Sequence, residues 1–327
     1  MKLPRRQFLH LAAGATALSA VSRPARAHAY PTQPVRIIVG FAAGGTTDIL
    51  ARLIGQKLSE RMGQKFVVEN RVGAGGNVAT ETVVRAAPDG YTLLLASSAD
   101  AVNATLYEKL DYNFIRDIAP VADIFHCPLV IVASPSFPAK TIPELIAYAK
   151  SNPAKVNMAS AGNNGSVNHV AGELFKAMAG INMVHVPYRG AGPAIANLLG
   201  GQVQVLLFAF VPASIEYVRT RRLRALAVTA TARLEALPDI PTVGEFVPGY
   251  EASAFFGICA PKSTPCGIVE KLNREINAVV TDPGMKARLA DLGGAAIAVS
   301  PADFGKLVAD ETEKWAKVIR AANIKAE

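Results

Sequence analysis

Residues 35–63 read VRIIVGFAAGGTTDILARLIGQKLSERMG, and three signals follow one another within them. Val35 to Phe41 is a short β-branched apolar run, the composition of a buried strand. Ala42 to Asp48 is a junction of small residues, glycines and threonines. Beyond it Ile49, Leu50, Leu53, Ile54 and Leu58 recur at helical spacing on one face, Arg52, Lys57, Glu60 and Arg61 lie off that face, and Gly63 can close the end. A strand that runs through glycine into a helix is the opening of a βαβ unit and predicts an α/β fold.

The same order recurs on both sides of the chain. KFVVEN leads through GAGGN into a helix ending near Ala87, Pro88-Asp89-Gly90 marks a turn, and YTLLLASSAD supplies another strand and junction. After IVASP come a helix over Pro143 to Lys150, VNMASAGNNGS into a helix over Val167 to Ala179, and MVHVPYRGAGP into a helix over Ala194 to Leu199. A strand over Gln202 to Phe208, a helix over Pro212 to Arg219 and the strand LRALAVTA continue the alternation, which implies parallel sheets packed between helices. The final helix, Pro301 to Ala322, carries an apolar stripe of Phe304, Leu307, Val308, Trp315 and Ile319, the pattern of a packing face. There is no solenoid-period repeat and no second hydrophobic span.

The start of the chain reads as an export signal. Arg5 and Arg6 precede an uncharged run from Phe8 to Val21, too short to cross a bilayer, and Ala25-Arg26-Ala27 and Ala27-His28-Ala29 resemble cleavage sites. The expectation is removal of residues 1–29 on passage to the periplasm. The paired arginines of PRRQFLHL suggest the twin-arginine route, with an ordinary secretory signal as the alternative. The whole chain carries 34 Lys and Arg against 26 Asp and Glu, a formal charge of +8. Five of those bases and no acid lie in the first 29 residues, so 29 bases face 26 acids afterwards and the charge falls to +3. No basic stripe is visible, which argues against nucleic-acid binding.

About 300 remaining residues exceed what one core comfortably holds and predict two domains. Cys127, Cys259 and Cys266 form no CxxC pair and have no histidine at zinc-ligand spacing, so no metal or other cofactor is expected. A bridge between Cys259 and Cys266 and a set of free thiols both remain open.

Four strand-to-helix junctions, Ala42 to Asp48, Gly73 to Asn77, Ala161 to Ser166 and Gly190 to Pro193, can present backbone N–H groups to a ligand. A helix N-terminus carries unsatisfied donors and about half a positive charge, so such junctions attract carboxylates or phosphates without a cationic side chain. Glycines that merely make tight turns would look the same at any one junction. A dinucleotide enzyme does not fit, because GAGGNV and GAGPAI place Val78 and Ile195 where the fingerprint needs glycine, and no Walker sequence occurs. A serine hydrolase does not fit either: no G-x-S-x-G surrounds Ser97, Ser98, Ser160 or Ser166. His169 falls one turn inside a helix and suits orienting a loop or ligand, while His185 lies between valines in a strand, the setting of a hydrogen-bonded core residue.

From Tyr30 onward the chain resembles the receptor proteins of tripartite tricarboxylate transporters, also called Bug receptors. The marks are YPTQPVRIIVGFAAGGTTDILAR, GQKFVVENRVGAGGNVATETVVRAAPDGYTLLL, HVAGELFKAMAG, HVPYRGAGPAIANLLGGQV, LRALAVTATARLEALPDIPTVGEFVPGYEAS and EKWAKVI. The resemblance implies an α/β, two-lobed periplasmic binding protein of type II-like form, each lobe a mostly parallel sheet flanked by helices, with the ligand in the cleft. Residues 30–124 plus 251–327 would form lobe 1 and residues 125–250 lobe 2, the chain crossing near Ile124 and recrossing near Tyr250. It implies no catalysis but capture of a small organic carboxylate, handed as a monomer to the membrane permease subunits of such a transporter. A periplasmic sensory receptor that presents the same ligand to a signalling protein is the alternative.

Carried onto this sequence, the ligand would meet the first loop through Phe41, Ala43, Gly44, Thr46 and Thr47, with Asp48 as a brace. Ser97 and Ser98 would add contacts from the same lobe, and Ala161, Gly162, Ser166, Asn168 and His169 from the other, with Tyr188 closing one wall. Relatives commonly carry G-T-S-S/H-H-L where this chain has Gly165-Ser166-Val167-Asn168-His169-Val170. They also usually carry an aspartate soon after GGQV, whereas QVQVLLFAFVP offers only apolar residues after Gln204. If side chains alternate there, Phe208 and Phe210 share a face, and either one or both line the cleft and favour a carboxylate with an apolar or aromatic body, or both fill the core of the second lobe.

Overall fold

The structure is a computed structural model that describes residues 30–161, 165–188 and 190–326, without the side chains of residues 207–214. The export signal and Gly162 therefore lie outside the described residues, as does the side chain of Phe208.

The opening stretch folds as β1 (Val35–Val39) and α1 (Thr46–Met62). Gly63 ends the helix in the left-handed conformation, with φ at 72°. The chain continues through β2 (Phe66–Asn70), α2 (Asn77–Val84), β3 (Thr92–Ser97), α3 (Ser98–Leu106) and the short α4 (Phe114–Asp117). It then enters β4 (Ile118–Ala133), a 16-residue strand. Beyond it come α5 (Ile142–Ser151), β5 (Asn157–Ser160), α6 (Val167–Ala179), β6 (Val184–Pro187), α7 (Ala191–Leu199), β7 (Val205–Phe210), α8 (Val211–Arg219) and β8 (Arg224–Val228). The chain finishes with β9 (Ser253–Pro261), α9 (Cys266–Val280), α10 (Pro283–Asp291), β10 (Ala295–Ala296) and α11 (Pro301–Ala321).

Two sheets share β4. Residues Ile118–Pro128 pair with β9, whereas Leu129–Ala133 pair with β7 and β8, so the strand passes from one sheet to the other between Pro128 and Leu129. Away from that strand each sheet has three parallel strands, β2-β1-β3 in one and β6-β5-β7 in the other. Beside these, β4, β8, β9 and β10 all pair antiparallel, which makes the whole mixed. The parallel arrangement belongs to the βαβ units; strands that carry the chain between sheets answer to no such unit and run the other way.

Thr229 ties the junction together. Its hydroxyl accepts the Leu129 N–H at 2.8 Å, its own N–H donates to the Leu129 carbonyl at 2.9 Å, and its carbonyl accepts the Ala252 N–H at 3.2 Å. The stripe on α11 is a packing face: Phe304, Val308, Trp315 and Ile319 are buried against α3, β4 and α6, and so connect both halves. All three cysteines are free. Cys259 is buried inside β9 and Cys266 is exposed at the start of α9, so the bridge left open by the sequence is not formed.

Candidate functional site

The N-termini of α1, α3 and α6 point into one cavity. Each of these helices leaves its first N–H groups without an intrahelical partner. In α1 the N-cap is Gly45, which has no side chain to spend on them. In α3 the N-cap Ser97 accepts the Ala99 N–H, and Asp100 reaches back to the Ser97 N–H at 2.8 Å, a capping box that fixes the end of β3. The Ser98 hydroxyl accepts the Phe255 N–H at 2.8 Å and so joins the same helix end to β9. In α6 the N-cap Ser166 accepts the His169 N–H at 3.4 Å.

The cavity holds about 410 Å³, within the ordinary range for a small-molecule site. Phe41, Thr46, Thr47, Ser97, Ser98, Ala161, Ser166 and Asn168, all singled out from sequence, line it. Gly45, Gly75, Ala99, Asn103, Leu106, Tyr107, Gly165, Val167, Ala254 and Phe256 complete the described lining. Not one of these residues is charged. The polar surface consists of hydroxyls, amides and helix N-termini, and Phe41, Leu106, Tyr107 and Phe256 supply an apolar wall. An anion entering it would be met by dipoles and N–H donors and, among the described residues, by no cation.

Other sequence-selected residues stand around the cavity and not in it. Ala43 and Gly44 are exposed. The Gly44 N–H is already committed, donating to Asp48 Oδ2 at 2.9 Å. Asp48 is only 3 % exposed, and its carboxylate also accepts the Arg52 guanidinium at 2.9 and 3.0 Å and the Asn70 amide at 2.9 Å. Asn70 donates in turn to the Phe41 carbonyl at 2.9 Å, so the network closes over the loop. Hydrogen bonding from Arg52, with the Gly44 N–H and Asn70, holds the Asp48 carboxyl at about 2 against the cost of burial. Tyr188 is partly buried against the hydrophobic cluster of the second sheet that contains Leu198. His169 turns away from the cavity toward Glu173 and the C-terminal segment.

Sequence reading missed Asn103, Leu106 and Tyr107 because they close the helix that Ser98 opens, and Ala254 and Phe256 because β9 joins the site only through tertiary folding. Gly75 carries a signal in sequence, since it lies in the Gly73 to Asn77 junction. Gly165 has a steric reason to be glycine: its φ is +77° and a Cβ there would lie 2.2 Å from Leu106 Cδ2, across the cavity. A larger depression of about 760 Å³ is lined by His126, Arg233, Glu235, Glu251, Lys286 and Glu311 among others. Its three acids outnumber Arg233 and Lys286, and no helix of eight or more residues starts in it, so it lacks the feature that selects an anion. Among the described residues no group of three or more metal-binding side chains occurs, and no helix is long and apolar enough to cross a membrane.

Residues 50–324 match the family described as Tripartite tricarboxylate transporter family receptor. Protein BugT of Bordetella pertussis is 36 % identical over 312 residues, which are 94 % of this chain and 95 % of that protein. The solved structure of R. palustris Rpa4515 with adipate is 35 % identical with a TM-score of 0.79, covering 90 % of this chain and 99 % of that one. MatC (Rpa3494) from Rhodopseudomonas palustris with bound malate is 33 % identical with a TM-score of 0.75, covering 89 % and 100 %. The fold is the two-lobed periplasmic binding protein fold that solved relatives share. By fold, by sequence along most of its length and by the profile it matches, this chain belongs to the tripartite tricarboxylate transporter receptor family.

Proposed function

We propose that this chain is a non-catalytic periplasmic receptor that captures an organic carboxylate with an apolar body between two lobes, residues 30–124 plus 251–327 and residues 125–250. It delivers that ligand as a monomer to the membrane permease subunits of a tripartite tricarboxylate transporter. The observation that carries the reading is a cavity in which no described lining residue is charged and onto which three helix N-termini converge.

In this reading the N–H groups of Thr46 and Thr47 and their hydroxyls receive one carboxylate, helped by Ser97 and Ser98. Ser166, Val167 and Asn168 approach from the other lobe. Asp48 holds the first loop in shape and keeps its own charge turned away, since a carboxylate facing an anion would repel it. The apolar wall favours a methylene chain or ring in the ligand, because removing such surface from water gains about 25 cal/mol per Å². Adipate in one structural relative has such a chain between its carboxylates.

The test is a thermal-shift and calorimetric screen of the mature chain against adipate, benzoate, medium-chain monocarboxylates, malate and citrate. A ligand at 100 times its Kd adds about 2.7 kcal/mol of stability, enough to raise Tm by several degrees. Carboxylates with an apolar body are expected to stabilise the protein more than citrate or malate. Tight binding of compact polar acids alone would refute the apolar half of the reading, and no stabilisation by any carboxylate would refute all of it.

A further inference from the structure

Two histidines outside the cavity hold the residues that flank its lobe-2 wall. The ring of His169, on α6, stacks on that of His185, on β6, with centroids 3.6 Å apart and planes within 4° of parallel. His169 Nδ1 accepts the Gly165 N–H at 3.0 Å. His185 Nε2 lies 2.7 Å from the Ser160 hydroxyl. Ser160 ends β5 immediately before Ala161, and Ala161, Gly165 and Ser166 all line the cavity.

We infer that the stacked pair is a proton-sensitive clamp on the ligand site: with both rings neutral it fixes Ser160 and Gly165 on either side of the lobe-2 wall, and protonation of His169 releases Gly165. His169 is thus a positioning residue that acts through Gly165, not a ligand contact. The inference rests on the reading of the cavity as a carboxylate site.

The chemistry follows from the tautomer. An Nδ1 that accepts an N–H carries no proton, so the ring proton sits on Nε2, which faces Glu173 Oε1 at 3.5 Å. A second proton can go only to Nδ1, where it meets the Gly165 N–H, and two donors cannot share a hydrogen bond. Gly165 then loses its anchor beside the cavity.

Other groups face the pair. Glu173 and Lys176 on α6 are paired with each other at 2.8 Å, and Lys325 of the C-terminal segment lines the same depression as His169. Ser160 comes from β5. Burial and the neighbouring His169 push His185 down to about 4, so acidification through the usual imidazole range leaves that ring neutral. An aliphatic dicarboxylate stays largely ionised down to about pH 6, so loss of affinity above that pH reports on the protein, and the His169→Asn variant corrects for ligand protonation below it.

The experiment compares the mature wild type with His169→Asn, whose side-chain carbonyl can take the place of Nδ1, and His169→Phe, which keeps a stacking ring without an acceptor. Amide and imidazole NMR signals are followed from pH 8 to 5 without ligand, and adipate affinity is measured by calorimetry over the same range. In the wild type the Gly165 amide is expected to move with the His169 titration, and adipate affinity to fall at least about tenfold. His169→Asn should restore binding and remove the pH dependence, and His169→Phe should bind weakly at every pH. A Gly165 amide indifferent to the His169 titration, or a His169→Asn variant as acid-sensitive as the wild type, would overturn the clamp. If adipate bound at no pH, the Gly165 amide would still decide for or against the clamp, and the failure would belong to the carboxylate reading.

Discussion

On one side of the cavity the loop before α1 is braced by a buried carboxylate in a fork of Arg52, Asn70 and a backbone N–H. On the other, the flanks of the segment between β5 and α6 are held by two stacked imidazoles. The first brace is ionic and titrates near 2, so it is complete at any pH a cell meets. The second depends on neutral rings and is the side that protonation releases. One receptor thus has one wall that is rigid towards pH and one that is responsive, although both present helix N-termini to the same cavity.

Breaking the ionic wall should have the largest effect. Asp48→Ala leaves the Gly44 N–H, the Asn70 amide and Arg52 without their shared partner, and since Arg52 is half exposed the cost should be about 2–3 kcal/mol. Urea denaturation measures it, and ligand binding should be lost with it. Gly165→Val tests the responsive wall by steric means. The positive φ and the approach to Leu106 should weaken binding by at least about tenfold, or about 1.4 kcal/mol. Overall stability should change less, since the residue sits at a cavity edge.

A smaller effect separates the walls by pH. His185 has a folded-state value of about 4 against about 6.5 for a free imidazole, so the unfolded chain binds the proton first. Stability contributed by that ring is complete above about pH 6.5 and drains away as pH falls towards 4. The wild type should therefore lose about 1 kcal/mol more than His185→Gln between pH 7 and 4.5, the partial exposure of the ring keeping the figure low. Asp48 loses its contribution in the same direction but in a lower window: its depressed value gives stability that is complete above about pH 4 and lost only as pH approaches 2, so Asp48→Asn should not change the slope between pH 7 and 4.5. Smallest of all, Cys266→Ser should alter stability by less than about 0.5 kcal/mol and affinity not at all, because this exposed thiol donates only to Glu270.

The responsive wall was also the less legible in sequence. Helices with a clear apolar stripe could be read closely: Val167 to Ala179 was delimited from spacing alone, and the final helix ends within a residue of its expected limit. The long β4 was not read as one strand, because nearly all of its residues are buried and Pro120 and Pro128 interrupt it, so neither alternation nor length showed. In the site, glycine-rich junctions were readable because a helix N-terminus leaves a local signature. The stacking of His169 on His185 leaves none, since it depends on β6 lying beside β5. Asp48 is expected as a brace from the resemblance, and an acid in the first helical turn with an arginine four residues later is a local pattern that fits the role. Leu106 and Phe256 reach the cavity only through tertiary packing.

The measurement that bears hardest on the whole account is calorimetric titration of the mature chain with adipate and with its uncharged diamide at pH 7.5. The two share an apolar chain and nearly the same shape, and differ in the charge that three helix N-termini would attract. Adipate should bind with a Kd at least about 100-fold below that of the diamide, a difference of about 2.7 kcal/mol. Equal affinity for the two, or preference for the diamide, would contradict a cavity built to hold a carboxylate.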